Sequence, residues 1–389
     1  MKVLVLGCGL QGKAAVYDLS KSKDVSKIVC VDLNINNIYE YSRFLDMKKI
    51  ELQKLNIMKR MKLIGLMKDV DIVIDLLPSK FLDYIADVAI EAGVNSVNTM
   101  YGYQISSHLH KKAIEKGVTI MPEAGLDPGI DLILCGHGVR QFDEVHELNS
   151  FCGGFPEEDA IDNPLKYKIA WNWDGVLKSY KRPARILCNK KIIDIPVYEQ
   201  FNVQNIEIVD FPGVGRLEAF PNGDAIIFAE HLGILPTLIN TSRRAMRWSG
   251  HSEFWKKLIQ LGFLDDEYVK GLDYKLTPHK FMSKFLEPKL QYKHNERDIV
   301  VMRNIISGIK DGKKKTIIYE MLDYRDLETG LFAMNRTVGF TVSIIAQMIA
   351  KRTINNKGLL TAIKDVPYKE AIYELKKRGI KITENIIEE

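Results

Sequence analysis

Hydrophobic and polar positions over the first 121 residues fall into two alternating patterns. Short continuous apolar runs at 3–6, 28–31, 72–76, 96–99 and 118–121, with a weaker one at 52–57, predict buried strands. Between them, segments 12–19, 38–47, 59–68, 81–92 and 106–116 place apolar residues three and four apart, which predicts helices. Strand and helix in strict alternation imply a parallel sheet with helices on both faces, a doubly wound α/β domain of the Rossmann type. In such a sheet, ligands sit at the carboxyl ends of the strands. Three segments occupy that position: Asp75-Leu76-Leu77-Pro78, Asn98-Thr99-Met100-Tyr101, and Glu123-Ala124-Gly125-Leu126-Asp127-Pro128-Gly129.

The pattern changes after Asp127. Residues 145–330 carry period-two alternation broken by turn signals, notably at 151–154, 196–203, 213–220 and 316–324. These predict a mixed or antiparallel sheet with a few helices, at 236–242 and 252–261 among them. An almost wholly apolar stretch at 332–351 predicts a buried helix, and 368–378 an amphipathic surface helix. The expected organisation is therefore a nucleotide-binding domain over 1–125 and an inserted mixed α+β substrate and dimerisation domain over 126–331. A C-terminal helical segment, 332–389, is expected to return to the first domain.

The chemistry is most legible at the amino terminus. The apolar run 3–6 leads into Gly7-Cys8-Gly9-Leu10-Gln11-Gly12, a helical segment follows, and the next apolar run ends in Asp32, twenty residues after the last glycine. This is the complete setting of a dinucleotide-binding turn rather than an isolated glycine pattern. Gly7 permits the tight turn, Gly9 allows the backbone to approach a pyrophosphate, and Gly12 lets helix and strand pack closely. The helix N-terminus aims its N–H groups at phosphate. A carboxylate at Asp32 accepts hydrogen bonds from ribose hydroxyls and repels a 2′-phosphate. Leu33, Asn34 and Ile35 follow it, with no arginine before Arg43, so NAD is the expected cofactor and NADP the alternative.

Composition narrows the remaining choices. The 389 residues suffice for two domains; 46% are hydrophobic and 27% charged. The net charge of +5 is spread over short Lys/Arg clusters without aromatic interleaving, so no nucleic-acid partner is expected. No apolar run approaches the roughly 18 residues that span a bilayer, so no membrane partner is expected. The chain opens directly into a strand, with no expected leader peptide. Five cysteines without metal-type spacing point to a reducing, cytoplasmic setting, and no metal site is expected.

Beyond these patterns, four motifs stand in order: AGLDPGID at 124–131, FCGGFP at 151–156, NPLKYKIAWNWDGVL at 163–177 and RRAMRWSGH at 243–251. The closing stretch MNRTVGFTVSIIAQMIA at 334–350 belongs with them. Over nearly its whole length the chain resembles the saccharopine dehydrogenase family, in particular its short lysine 6-dehydrogenase-like branch. The resemblance implies a homodimer acting on a small amino-acid substrate. It puts nicotinamide and ribose near Leu77, Pro78, Met100, Tyr101, Leu126, Asp127 and Pro128, and adenine near Asn56 and Ile57. It turns Asp127 and Tyr101 toward the reacting amino acid and gives Arg247 a substrate carboxylate, a natural role for a bidentate guanidinium.

One departure bears on the substrate. Family members that reduce to saccharopine carry an arginine after Pro-Asn in a FPNRD-like stretch, where this chain reads Phe220-Pro221-Asn222-Gly223-Asp224. Gly223 offers no charge to a second carboxylate, which favours free lysine. The NPLKYK stretch points the other way.

Alternatives stay open residue by residue. Asp127 is a catalytic or substrate contact, or only a turn former before Pro128. Glu123 is an alternative base or a satisfied polar group. Tyr101 faces substrate or core, and Arg247 is a clamp or a structural ion-pair member. His251 belongs to the substrate site or to the core. If 171–173 is a strand, only one of Trp171 and Trp173 faces a pocket. The leading expectation is NAD-dependent oxidation of L-lysine at its ε-carbon to the 6-semialdehyde. The runners-up are a saccharopine or carboxy-polyamine dehydrogenase and, in another class, a non-catalytic nucleotide-binding regulator.

Overall fold

The apolar runs near the amino terminus form parallel strands because side chains buried on both faces leave no room for polar alternation. The computed structural model describes residues 1–389 and divides them into two units. The first unit comprises Met1–His137 and Asn335–Lys381; the second comprises Gly138–Met334 and Ile382–Glu389.

In the first unit, seven strands run parallel in the order Gly358–Leu359, Thr119–Met121, Asn95–Asn98, Ile72–Asp75, Lys2–Leu6, Lys27–Asp32, Ile50–Lys54. Helices Leu10–Lys21, Arg60–Lys68, Leu82–Ala92 and His108–Glu115 connect them. The helix expected over 38–47 is cut short to Asn36–Glu40, and two 3-10 turns follow. Asp46 explains part of this: its carboxylate accepts from the Lys48 N–H and offers the backbone a turn in place of helix.

The long apolar helix Ala333–Ala350 begins where Asp298 accepts from the Ala333 and Met334 N–H groups, and its remainder belongs to the first unit. There Phe340 stacks on Tyr17, and Ser343 donates to Asp18 at 2.6 Å. Arg378, just beyond the helix Tyr368–Lys377, pairs with the same buried Asp18 at 2.6 Å. The helix Leu10–Lys21, which follows the glycine turn, is thereby held by Phe340, Ser343 and Arg378.

The second unit is built on a mixed sheet in the order Glu207–Phe211, Gly215–Pro221, Asn240–Trp248, Glu144–Pro156, Asp298–Lys310, Lys313–Tyr324, Ile382–Glu388. All neighbours are antiparallel except Asn240–Trp248 with Glu144–Pro156. The long hairpin turns at Asp311-Gly312, both at positive φ, the two-residue geometry that matches strand twist. An aromatic core covers the sheet, with Tyr167, Trp173, Tyr180, Phe201, Phe220 and Trp255 at its centre.

At four points the structure departs from the patterns above or from a condition they left open. The helix placed at 236–242 lies one segment early, at Ile226–Leu232, and ends on left-handed Gly233. Residues from Asn240 onward form a central strand instead. Thr237 caps the intervening turn by donating to the Val145 and Ile234 carbonyls. Trp171 and Trp173 are not on a strand: Trp173 opens the helix Trp173–Ser179, whose Gly175 N–H is capped by Asn172 at 3.1 Å. The C-terminal segment does not stay with the first unit throughout, because Ile382–Glu388 pairs with Lys313–Tyr324 in the second. The first unit also runs to His137 rather than ending at 125, since the helix Ile130–Val139 follows directly from the Asp-Pro-Gly turn. No helix is long and apolar enough to cross a membrane.

Candidate active site

In the first unit the glycine turn lies between the ends of Lys2–Leu6 and Ile72–Asp75. Gly7 sits at φ +97°, and a Cβ there would come within 2.8 Å of the Leu76 carbonyl oxygen. A Cβ on Gly12 would lie 2.0 Å from the Gly7 oxygen, an impossible contact, whereas Gly9 faces open space. The helix that begins at Leu10 and Gln11 has no side-chain cap and no acid in its first turn. Its leading N–H groups therefore remain available to an anion. Gln11 Oε1 is buried there without a hydrogen-bond partner. Open space over Gly9 and an uncapped helix end together fit a dinucleotide pyrophosphate.

Asp32 closes the next strand. Its Oδ2 accepts from Cys8 N–H at 2.6 Å and its Oδ1 from Asn34 N–H at 2.9 Å, so the glycine turn itself orients the carboxylate. Each oxygen keeps a lone pair for a ribose hydroxyl. Asn56 is exposed and Ile57 buried just beyond the edge strand Ile50–Lys54, where Tyr84 donates to the Ile57 carbonyl at 2.9 Å. Asp75 is buried at the end of its strand, and burial pushes its carboxyl up to about 7. It accepts from Leu77 N–H at 3.0 Å and so fixes the Leu77-Pro78 turn. Asn98 does the same for Met100 at 2.9 Å.

Two of the candidate catalytic side chains meet. Tyr101 donates to Asp127 Oδ1 at 3.0 Å, with Asp127 exposed between buried Leu126 and buried Pro128. The Asp127–Pro128 peptide bond is cis, and Gly125 N–H closes the turn on the Pro128 carbonyl at 3.0 Å. Glu123 takes a different position. It is 1% exposed, and its two oxygens accept from Gly102 N–H at 3.0 Å and Ala362 N–H at 3.2 Å. That carboxylate ties the turn after Tyr101 to the chain beyond Gly358–Leu359.

The second unit holds the candidate anion site. Arg247 lies on the strand Asn240–Trp248 and is 6% exposed. Its register partner Glu218 makes no ion pair with it; that carboxylate accepts instead from Gly250 N–H at 2.9 Å and from Ser252 N–H. Arg247 donates to the Met246 carbonyl at 2.8 Å and lies over the Tyr167 ring at 5.3 Å, while its Nε has no partner. A buried guanidinium without a carboxylate is costly unless a ligand supplies one.

His251 is equally buried. Its Nε2 lies 2.8 Å from the Tyr180 hydroxyl and its Nδ1 3.2 Å from the Leu165 carbonyl. Burial first, and Arg247 second, pull its pKa down to about 3, so the ring stays neutral and leaves the cationic role to Arg247. Tyr180 and Glu218, which hold His251 and the turn before it, were not legible as site residues. Both are ordinary core positions until the register is known.

Comparison with known proteins covers nearly the whole chain. Residues 3–121 match the saccharopine dehydrogenase NADP binding domain, and residues 125–380 the saccharopine dehydrogenase C-terminal domain. The Saccharomyces cerevisiae saccharopine dehydrogenase [NADP(+), L-glutamate-forming] is 26% identical, covering 99% of this chain and 99% of its own. Mouse mitochondrial alpha-aminoadipic semialdehyde synthase is 27% identical over 97% of this chain, but that match takes up 47% of the mouse protein. The chain thus spans about half the length of the semialdehyde synthases of mouse, rat and cattle that it matches. The solved structure of apo saccharopine dehydrogenase (L-Glu forming) from Saccharomyces cerevisiae shares the fold, with a TM-score of 0.85 over 99% of both chains at 24% identity.

Proposed function

The chain belongs to the saccharopine dehydrogenase family, and from that membership we propose that it oxidises the C–N bond at the ε-carbon of a lysine-derived amino acid. A bound nicotinamide dinucleotide supplies the hydride acceptor. The glycine turn Gly7–Gly12 and Asp32 would hold its pyrophosphate and ribose, and Leu77, Pro78, Met100 and Leu126 would line its nicotinamide end. Arg247 holds a substrate carboxylate. Asp127, oriented by the Tyr101 hydroxyl, takes the proton from the substrate nitrogen, so that the neighbouring carbon can give up hydride. Water then adds to the resulting C=N carbon, and the C–N bond breaks to leave an aldehyde and an amine. Glu123 acts as a positioning residue for the Tyr101 turn, because backbone N–H groups occupy both its oxygens.

The observation that carries this reading is the buried Arg247 guanidinium with no protein carboxylate paired to it. Arg247→Gln removes the charge and keeps most of the volume. It should lower kcat/KM for the amino acid by about 10²-fold or more, while the affinity for reduced cofactor, read by its fluorescence, stays the same. An unchanged kcat/KM contradicts the assignment.

The yeast relative is named for saccharopine and glutamate, and saccharopine is the substrate we favour. Oxidation then releases glutamate and the 6-semialdehyde. Free lysine, which would release ammonia, is the second reading, favoured by the uncharged Gly223. For the cofactor we propose NAD on the strength of Asp32, although the yeast relative is named for NADP(+). Asp32→Asn keeps the acceptor for Cys8 N–H and removes the charge. It should move the ratio of kcat/KM for NAD over NADP toward NADP by about tenfold or more. A ratio that does not move contradicts the role of Asp32.

A further inference from the structure

Arg182 lies beside the space that Gly223 leaves empty. Gly223 sits at φ +85°, and a Cβ built on it would lie 3.8 Å from Arg182 Nη1. The same Nη1 donates to Asn222 Oδ1 at 3.4 Å. Arg182 is half-buried and has no carboxylate within ion-pair distance. The acid next to Gly223 in sequence, Asp224, is paired with Arg185 instead, at 3.1 Å. Arg182, like Arg247, is thus a guanidinium of the second unit that no protein acid pairs with.

The sheet relates their positions. Glu218 pairs with Arg247 and Phe220 with Ala245, and Asn222 N–H continues the ladder to the Arg243 carbonyl at 2.9 Å. Arg247, Ala245 and Arg243 alternate onto one face, which Glu218, Phe220 and Asn222 share. Asn222, and Arg182 with it, stands four residues along the strand from Arg247, about 13 Å at strand spacing. The segment that covers this face supplies both ends of the arrangement. Tyr180 packs edge-on against Phe220 and His251, and Arg182 follows two residues later in a turn closed by its N–H on the Ser179 carbonyl. A single carboxylate satisfies one of the two cations and leaves the other open.

We propose that Arg182 is a second carboxylate anchor of the substrate site. The substrate then carries carboxylates on both sides of the reacting C–N bond, as saccharopine does and free lysine does not. This rests on the oxidation of a lysine-derived C–N bond and chooses between its two substrates. The arginine absent at 223 is replaced in space by one forty-one residues earlier in the chain.

The test compares wild type, Arg182→Ala and Arg182→Lys with saccharopine and with lysine, following cofactor reduction. The affinity for reduced cofactor and the melting temperature are measured beside it. The expected result is turnover of saccharopine by wild type, with KM raised about 10- to 100-fold in Arg182→Ala. Arg182→Lys should recover part of that loss, because it returns the charge without the fork. kcat, cofactor affinity and melting temperature should change little. Saccharopine turnover with an unchanged KM in Arg182→Ala overturns the role of Arg182 and leaves the C–N chemistry standing. Turnover of lysine and not of saccharopine does the same. No turnover of either substrate overturns the chemistry and the anchor together.

Discussion

The residues divide by what already satisfies them. Glu123 and Glu218 are buried acids whose oxygens are occupied by backbone N–H groups, so their work is to hold turns. His251 is locked between Tyr180 and Leu165 and stays neutral. Asp127 and Arg247 differ, the first exposed with a tyrosine hydroxyl on it, the second buried without a counter-charge. Asp127→Asn keeps the Tyr101 hydrogen bond and removes the base. It should lower kcat by about 10²-fold or more with a smaller effect on KM; an unchanged kcat would assign the proton to another group. Much of this was legible in the sequence, because Asp127, Tyr101 and Asp32 follow directly from strand ends. Arg182 was not. Its nearness to Gly223 depends on a turn and a strand distant in sequence, and no local pattern signals it.

Elements were legible in proportion to how locally their burial is decided. The strands Lys2–Leu6, Lys27–Asp32 and Ile72–Asp75 announce themselves because a parallel strand covered on both faces is apolar over most of its length; the half-buried edge strand Ile50–Lys54 and the polar Asn95–Asn98 do so less. Asn240–Trp248 conceals itself: its arginines and serine sit on a central strand, and a preceding Pro-Thr turn imitates a helix start. Ile382–Glu388 conceals itself for the opposite reason, as a mostly exposed edge strand with charges of the kind that discourage pairing between molecules. The glycine turn yields the sharpest prediction at this scale. Gly12→Ala would set a Cβ 2.0 Å from the Gly7 oxygen and push the helix away from the strand. Reduced-cofactor binding should weaken by about tenfold or more, measured by fluorescence titration, with far-ultraviolet circular dichroism unchanged. Full affinity would mean that the turn does not hold the pyrophosphate.

For the whole molecule, two buried acids tie stability to pH. Burial pushes the carboxyls of Asp75 and Asp298 up to about 7, while unfolded chains titrate such groups near 4. The folded state therefore holds those protons more tightly. Their stabilising contribution is complete below about pH 4, is lost as pH rises toward 7, and is level above that. Asp75→Asn keeps the acceptor for Leu77 N–H and removes the titration. In urea unfolding it should lose less stability than wild type between about pH 5 and 8, a difference of roughly a few kcal/mol at most. Parallel pH profiles would contradict the buried-acid account.

The chemistry itself is tested most directly by one stoichiometric assay. Purified protein is mixed with saccharopine and NAD, or NADP, and absorbance at 340 nm is followed together with the glutamate released. The account predicts one glutamate and one semialdehyde for each cofactor reduced. Cofactor reduction with ammonia released from lysine, and no glutamate from saccharopine, would contradict the substrate assignment; no reduction with either amino acid would contradict the oxidoreductase itself.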